Sequence, residues 1–232
     1  MDGLHRCDCK RNSSIDSYGD HLFTCPKGNH RQLSHNALNL VLSEMCHCAG
    51  IHNKTEPLGA FDRARSTTNK RPDLILYKPG IATVKYPKGW LHNIVVDTSL
   101  TYPMTQDSIN KVARQPNALL SIDKREKEKI YKYGDLAAAS DLDIVPAVVD
   151  YWGAWGEHIR RLVVEVCKIG SAQTGISFSV FKEYWTQRIS VVVQCYVTDL
   201  LIKRCQRLYD STYLAHCESI NKDAVTAVHP IF

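Results

Sequence analysis

Three groups of side chains in this sequence have types and spacings that suit chemistry. The first is Cys7-x-Cys9 followed by His21 and Cys25, four soft or borderline donors in a segment too small to own an apolar core. Such a set can converge on a tetrahedral zinc ion that replaces the missing core. His30 or His35 could stand in for His21 as the nitrogen donor, and free thiols are the alternative. The second group is acidic. Glu56 precedes a proline, Asp73 opens the run Leu74-Ile75-Leu76, and Asp97 follows Ile94-Val95-Val96. A carboxylate in an apolar, strand-forming run is costly unless it is paired or bound to a metal. Two of them on neighbouring strands can share Mg²⁺ or Mn²⁺, a hard cation that polarises a phosphate and generates hydroxide. The bland alternative has Asp73 capping a turn after Pro72 and Asp97 at a solvated edge. The third group is Lys127, Lys129 and Lys132, of which Lys129 and Lys132 share a helix face at i and i+3. A lysine aimed at a metal-bound water or a scissile phosphate stabilises developing negative charge. Otherwise the run is a solvated face. Cys46-x-Cys48 lies within helical spacing, where i and i+2 point apart, and reads as core or surface thiols.

Positioning these groups requires a small sheet and several helices. Residues 1–30 have no apolar period and read as an appendage. Leu33, Ala37, Leu40, Val41, Met45 and Cys48 then recur at helical spacing over residues 31–49, ahead of Gly50. Residues 51–102 read as a short sheet interrupted by a basic loop holding Arg63, Arg65, Lys70 and Arg71. The stretch KREKEKIYKYGDL is helical, IVPAVV is a buried strand, and DYWGAWGEHIRRLVVEVCKIG is an amphipathic helix ending at Gly170. An apolar stripe from residue 178 to 209, with no Pro or Gly to stop it, predicts one helix of about 48 Å that packs across the body or joins a second copy. The expected division is a zinc-binding segment over 1–30, an α/β core over 31–170 and a helical extension over 171–232.

Composition narrows the functional classes. The 232 residues are 44% apolar and 23% charged, enough to bury a sizeable core and unlike a disordered chain. No uninterrupted apolar run reaches the roughly 18 residues of a membrane span. The N-terminus MDGLHRCDCKRN places no apolar stretch behind its charges, which reads as the absence of a secretory signal and as thiols in a reducing, intracellular setting. Nine cysteines, an odd number, then suggest metal or burial rather than disulfides. A formal charge of +5 permits a nucleic-acid partner without requiring one.

Taken in order, CDCK, SYGDHLFTC, HRQLSHNAL, Glu56-Pro57, RPDLIL, VVDTSLTYP, EKEKIYKYGD, IVPAVVDYWGAWG and RISVVVQ form a series. From Cys7 to about Arg207 it resembles the C-terminal region of non-LTR retrotransposon-type reverse transcriptases. In that region a zinc knuckle precedes a restriction-like endonuclease of the PD-(D/E)xK superfamily. The resemblance implies an αβββαβ nuclease core with Asp73 as the PD aspartate, Asp97 in the (D/E) place and Glu56 as an accessory carboxylate. Ser99 stands where the family pattern has lysine, so the lysine would come from the following helix, as Lys129 or Lys132. The implied activity is Mg²⁺-dependent hydrolysis of DNA by a region detached from its polymerase. The implied setting is nuclear, with RNA of the parent element as a further partner. The competing expectation is an inactive nucleic-acid-binding module or scaffold with the same fold, its basic cluster Arg63, Arg65, Lys70 and Arg71 holding phosphates by charge.

Overall fold

The computed structural model describes residues 7, 9, 20–25, 27, 30–61, 71–77, 79–81, 93–105, 109–110 and 119–226, apart from the side chains of residues 30, 31, 208 and 210–226. Contacts group the chain into two units, one of Met1–Gly28 with Val197–Phe232 and one of Asn29–Tyr196. The boundaries therefore differ from those expected. Residues 171–196 belong with the α/β unit because Phe181, Trp185 and Ile189 are buried there.

The larger unit is a mixed α/β structure around a four-stranded sheet of order β1-β2-β3-β4. The strands are β1 (Asn53–Thr55), β2 (Leu74–Leu76), β3 (Asn93–Thr101) and β4 (Leu142–Asp150). β1 and β3 each run antiparallel to β2, whereas β3 and β4 are parallel and matched from Asn93↔Leu142 to Thr101↔Asp150. A parallel pair needs a crossover rather than a hairpin. Its described part is α3 (Leu120–Ala139), following α1 (Asp20–Thr24) and α2 (His30–Cys48) in chain order. Pro146 in β4 lacks a donor and is tolerated because β4 is an edge strand of this sheet.

The strand alternation decides which helix covers which face. Ile75 and Val95 pack with Tyr133 and Ala137 of α3, together with Phe61 and Leu142. Side chains of opposite parity face α2, as the bond from Thr98 to Asn39 of α2 shows. α2 buries Leu38, Val41, Leu42 and Met45, the i, i+3, i+4, i+7 stripe of a helix with one dry face. Truncating one of the fully buried leucines to alanine costs about 2–5 kcal/mol. The helix stops at Gly50, whose φ of 71° closes a paired cap. Ile51 N–H donates to Cys46 O at 2.8 Å and Gly50 N–H to His47 O at 2.9 Å.

The segment after β4 corrects the sequence reading at both ends. DYWGAW is not helical: Asp150 accepts the amides of Trp152 at 2.9 Å and Ala154 at 2.8 Å, which folds a tight turn. Helix α4 (Glu157–Thr174) begins only after it and runs past Gly170 to Gly175, which takes a φ of 75°. Gly170 stays inside the helix because the Phe181 ring rests where its Cβ would be. Gly156, before α4, likewise leaves room for Glu126 of α3, whose Oε1 accepts the His158 amide at 3.3 Å. Burial pushes the Glu126 carboxyl up to about 7, with that amide pulling the other way. The last helix, α5 (Phe178–Thr226), is longer than the 178–209 stripe suggests. No described helix is long and apolar enough to cross a membrane.

Candidate functional site

The two aspartates meet where β2 leaves β3. The Leu74↔Val96 pairing sets Asp73 opposite Asp97, one step beyond the last ladder pair. Asp73 N–H still donates to Val96 O at 3.2 Å, and Glu56 N–H donates to Asp73 O at 2.8 Å. There the side chain takes over from the backbone. Asp73 Oδ2 accepts the Thr98 amide at 2.6 Å and lies 2.9 Å from His35 Nε2 of α2. The Thr98 hydroxyl is 3.2 Å from the same oxygen and 2.6 Å from Asn39 Oδ1; its single proton suits the nearer acceptor. His35 Nδ1 lies 3.4 Å from both Asn36 Oδ1 and Asn39 Nδ2, so either proton arrangement on that nitrogen has a neighbour. The hydrogen bond to Asp73 holds the His35 imidazole above its ordinary range against the opposing pull of burial. Asp73 Oδ1 has no hydrogen-bond partner among the described residues.

Asp97 is buried, and its Oδ2 is paired with the Lys129 ammonium of α3, which is buried as well. Lys129 also donates to Thr98 O at 3.3 Å. Burial raises the Asp97 carboxyl, the Asp73 charge raises it further, and Lys129 offsets part of this. Desolvation and the same two aspartates push the nearby Tyr133 hydroxyl well above its usual range. Lys132 acts on Asp97 less directly: its charge lowers that carboxyl, but its ammonium donates to the Tyr133 hydroxyl at 2.7 Å and sits 4.4 Å from that ring's centre. Ser99 accepts from Arg125 Nε at 2.9 Å. The arrangement thus joins two facing acids, one just before β2 and one on β3, to His35 of α2 on one side and Lys129 of α3 on the other.

The remaining expected residues are more scattered. The Glu56 side chain is exposed and makes no hydrogen bond or ion pair among the described residues, and its backbone adopts a φ of 43°. Arg71 is exposed, and its carbonyl lies 3.5 Å from the Tyr133 hydroxyl. Arg63, Arg65 and Lys70 lie outside the described residues.

In the smaller unit, Cys7, Cys9, His21 and Cys25 are all buried, with their ligand atoms within 4.8 Å of one another. Cys7 Sγ is 3.6 Å from Cys25 Sγ, and Cys9 Sγ is 3.5 Å from His21 Nε2. Zinc–sulfur bonds of about 2.3 Å at a tetrahedral ion would set sulfurs roughly 3.8 Å apart, so these residues fit that ion. His21 and Cys25 are brought together by one helical turn, which Cys25 N–H extends by donating to His21 O at 2.8 Å. Arg204 of α5 donates to Cys25 O at 2.7 Å and so fixes the backbone behind that ligand. Burial pushes the Cys7 thiol up to about 11, which a bound cation would reverse. His35 takes no part in this cluster because it belongs to Asp73. Cys46 is buried and Cys48 exposed, as their spacing in α2 requires, and burial raises the Cys46 thiol to about 12.

Sequence reasoning named the acids and the lysines but missed the group around Asp73. Asn39 and His35 at i and i+4 were the available signal, since Asn39 interrupts an otherwise apolar stripe and is buried. Thr98 carried no such mark. Compared with known proteins, the chain matches no family model and no curated protein.

Proposed function

We propose that the chain is a metal-dependent endonuclease that hydrolyses phosphodiester bonds in DNA, with a zinc-stabilised N-terminal segment. One observation carries the reading: the buried Asp73, just before β2, stands opposite the buried Asp97 of β3, which is paired with the Lys129 ammonium. The element order α2-β1-β2-β3-α3-β4 agrees with an αβββαβ restriction-like core of the kind attached to non-LTR retrotransposon-type reverse transcriptases. Asp73 and Asp97 would hold Mg²⁺ or Mn²⁺, which when bound supplies Lewis acidity and a hydroxide near neutral pH. Lys129 offsets part of the cost of charging Asp97 and presents positive charge where the phosphate gains negative charge. Lys132, turned toward Tyr133, is the weaker candidate for that role. Glu56 is an accessory acid on the exposed side. Arg71, with Arg63, Arg65 and Lys70, would hold backbone phosphates. DNA in the nucleus is the proposed substrate, with RNA of a parent element as a second partner.

The test is cleavage of plasmid DNA by purified protein with Mg²⁺ or Mn²⁺, beside Asp73→Asn and Asp97→Ala. Wild-type cleavage lost in both variants is the expected result; equal nicking by all three proteins would assign it to a contaminant. A second reading draws on the Lys129–Asp97 pair itself, which can serve as a buried structural ion pair in an inactive DNA-binding module. That module would bind DNA with a salt slope of about −0.9 per phosphate contact and cleave nothing.

A further inference from the structure

Asp73 is held asymmetrically. Oδ2 receives the Thr98 amide at 2.6 Å and lies 2.9 Å from His35 Nε2, with the Thr98 hydroxyl oxygen 3.2 Å away, while Oδ1 has no hydrogen-bond partner among the described residues. A carboxylate has two equivalent oxygens and a soft terminal torsion, so without such contacts it would turn freely. The backbone amide alone fixes one direction. His35 supplies a second from α2, the helix on the face opposite Lys129, and Asn39 steadies it through the ring's other nitrogen at 3.4 Å. We infer that His35 is the positioning residue of the proposed nuclease site: by clamping Oδ2 of Asp73 it reserves Oδ1 for the cation. This rests on Asp73 being a metal ligand. His35 itself touches neither metal nor substrate. Partners of this kind orient ligating groups, and losing one typically weakens metal affinity or activity by about 10–100-fold.

Calorimetric titration of the full chain with Mn²⁺ tests the inference, beside single-turnover cleavage across a Mn²⁺ series. His35→Leu keeps the volume without the donor, His35→Ala removes both, and His35→Gln restores an N–H. Expected are a Mn²⁺ dissociation constant raised about 10–100-fold in the Leu and Ala variants and a recovery toward wild type in the Gln variant. The half-saturating metal concentration for cleavage should rise in parallel, with the rate at saturating Mn²⁺ largely regained and metal-free DNA binding unchanged. Wild-type affinity in a folded Leu or Ala variant overturns the inference, and so does a Gln variant as weak as those two. A wild type that binds Mn²⁺ at Asp73 but does not cleave removes the nuclease reading, and the affinities still decide the role of His35. A wild type that binds no Mn²⁺ removes both.

Discussion

The chain carries two clusters of ligand-type side chains that solve the problem of burying polar groups in opposite ways. Around Cys7, Cys9, His21 and Cys25 the buried groups are themselves the donors, and three of the four form their own small buried cluster. Around Asp73 and Asp97 the donors are set into a sheet already packed by Ile75, Val95 and Tyr133, and the unit supplies its own cation in Lys129. The first arrangement has the donors that a zinc ion would complete. The second already has a cation of its own in place. A ligand cluster can thus be read by asking what would hold it together empty.

Removing metal gives the largest contrast. Structural zinc contributes roughly 10–16 kcal/mol of apparent binding free energy, far above what so small a segment gains from apolar burial. Chelation should therefore abolish hydrogen-exchange protection at the Cys25 amide while amides of β3 keep theirs. Protection at Cys25 that survives in verified metal-free protein would break the contrast.

Breaking the internal cation comes next. Lys129→Met leaves Asp97 buried without its partner and should cost about 3–5 kcal/mol in denaturant unfolding. Adding Asp97→Asn should return most of it, since the second change removes the charge that was stranded. If cleavage occurs, Lys129→Met should lower its single-turnover rate by about 10² to 10³ and leave DNA binding within a few-fold. A loss under about 1 kcal/mol would mean that water, not Lys129, compensates Asp97.

The two regions should also answer pH in opposite directions. Zinc binding to thiols releases protons, so the smaller unit tightens as pH rises. In the larger unit Glu126 lies at about 7 against an ordinary 4.5, because burial, with Asp123 and Glu157 beside it, outweighs the His158 amide and Arg160. Between those values the folded state binds the proton that the unfolded state has released, so this contribution falls as pH rises from about 4.5 to about 7. Glu126→Gln should flatten that decline in urea titrations across the range; an unchanged slope would assign the linkage to other groups. The smallest effect is expected for Lys132→Met, which loses a partly exposed contact over the Tyr133 ring and should shift stability by under about 1 kcal/mol. Its cleavage rate should change far less than that of Lys129→Met, and the reverse order of rates would exchange their roles.

What was legible in the sequence follows from how local each signal is. The stripe of α2 and the strands at Leu74 and Ile94 were readable because an apolar period records burial directly. The convergence of Cys7, Cys9, His21 and Cys25 was readable because few other uses exist for those types in a coreless segment. The turn at Asp150 was missed because its acid caps two nearby amides while the surrounding Tyr, Trp and Ala imitate the start of a helix. Gly170 misled for a different reason. A glycine that ends a helix and one that admits a ring are the same letter, and only Phe181, eleven residues later and packed back on it, tells them apart. His35 needed a partner 38 residues away.

Glu56 links this structure to the way substitutions would be tolerated. A non-glycine residue at a φ of 43° is held in a conformation that costs it on the order of 1 kcal/mol, and its exposed side chain makes no hydrogen bond or ion pair among the described residues that offsets this. Selection for stability alone would favour glycine or asparagine there. Glu56→Gly should therefore raise the unfolding midpoint slightly. If it also slows cleavage, the position marks a trade between robustness and catalysis; if cleavage is untouched, the glutamate is open to drift.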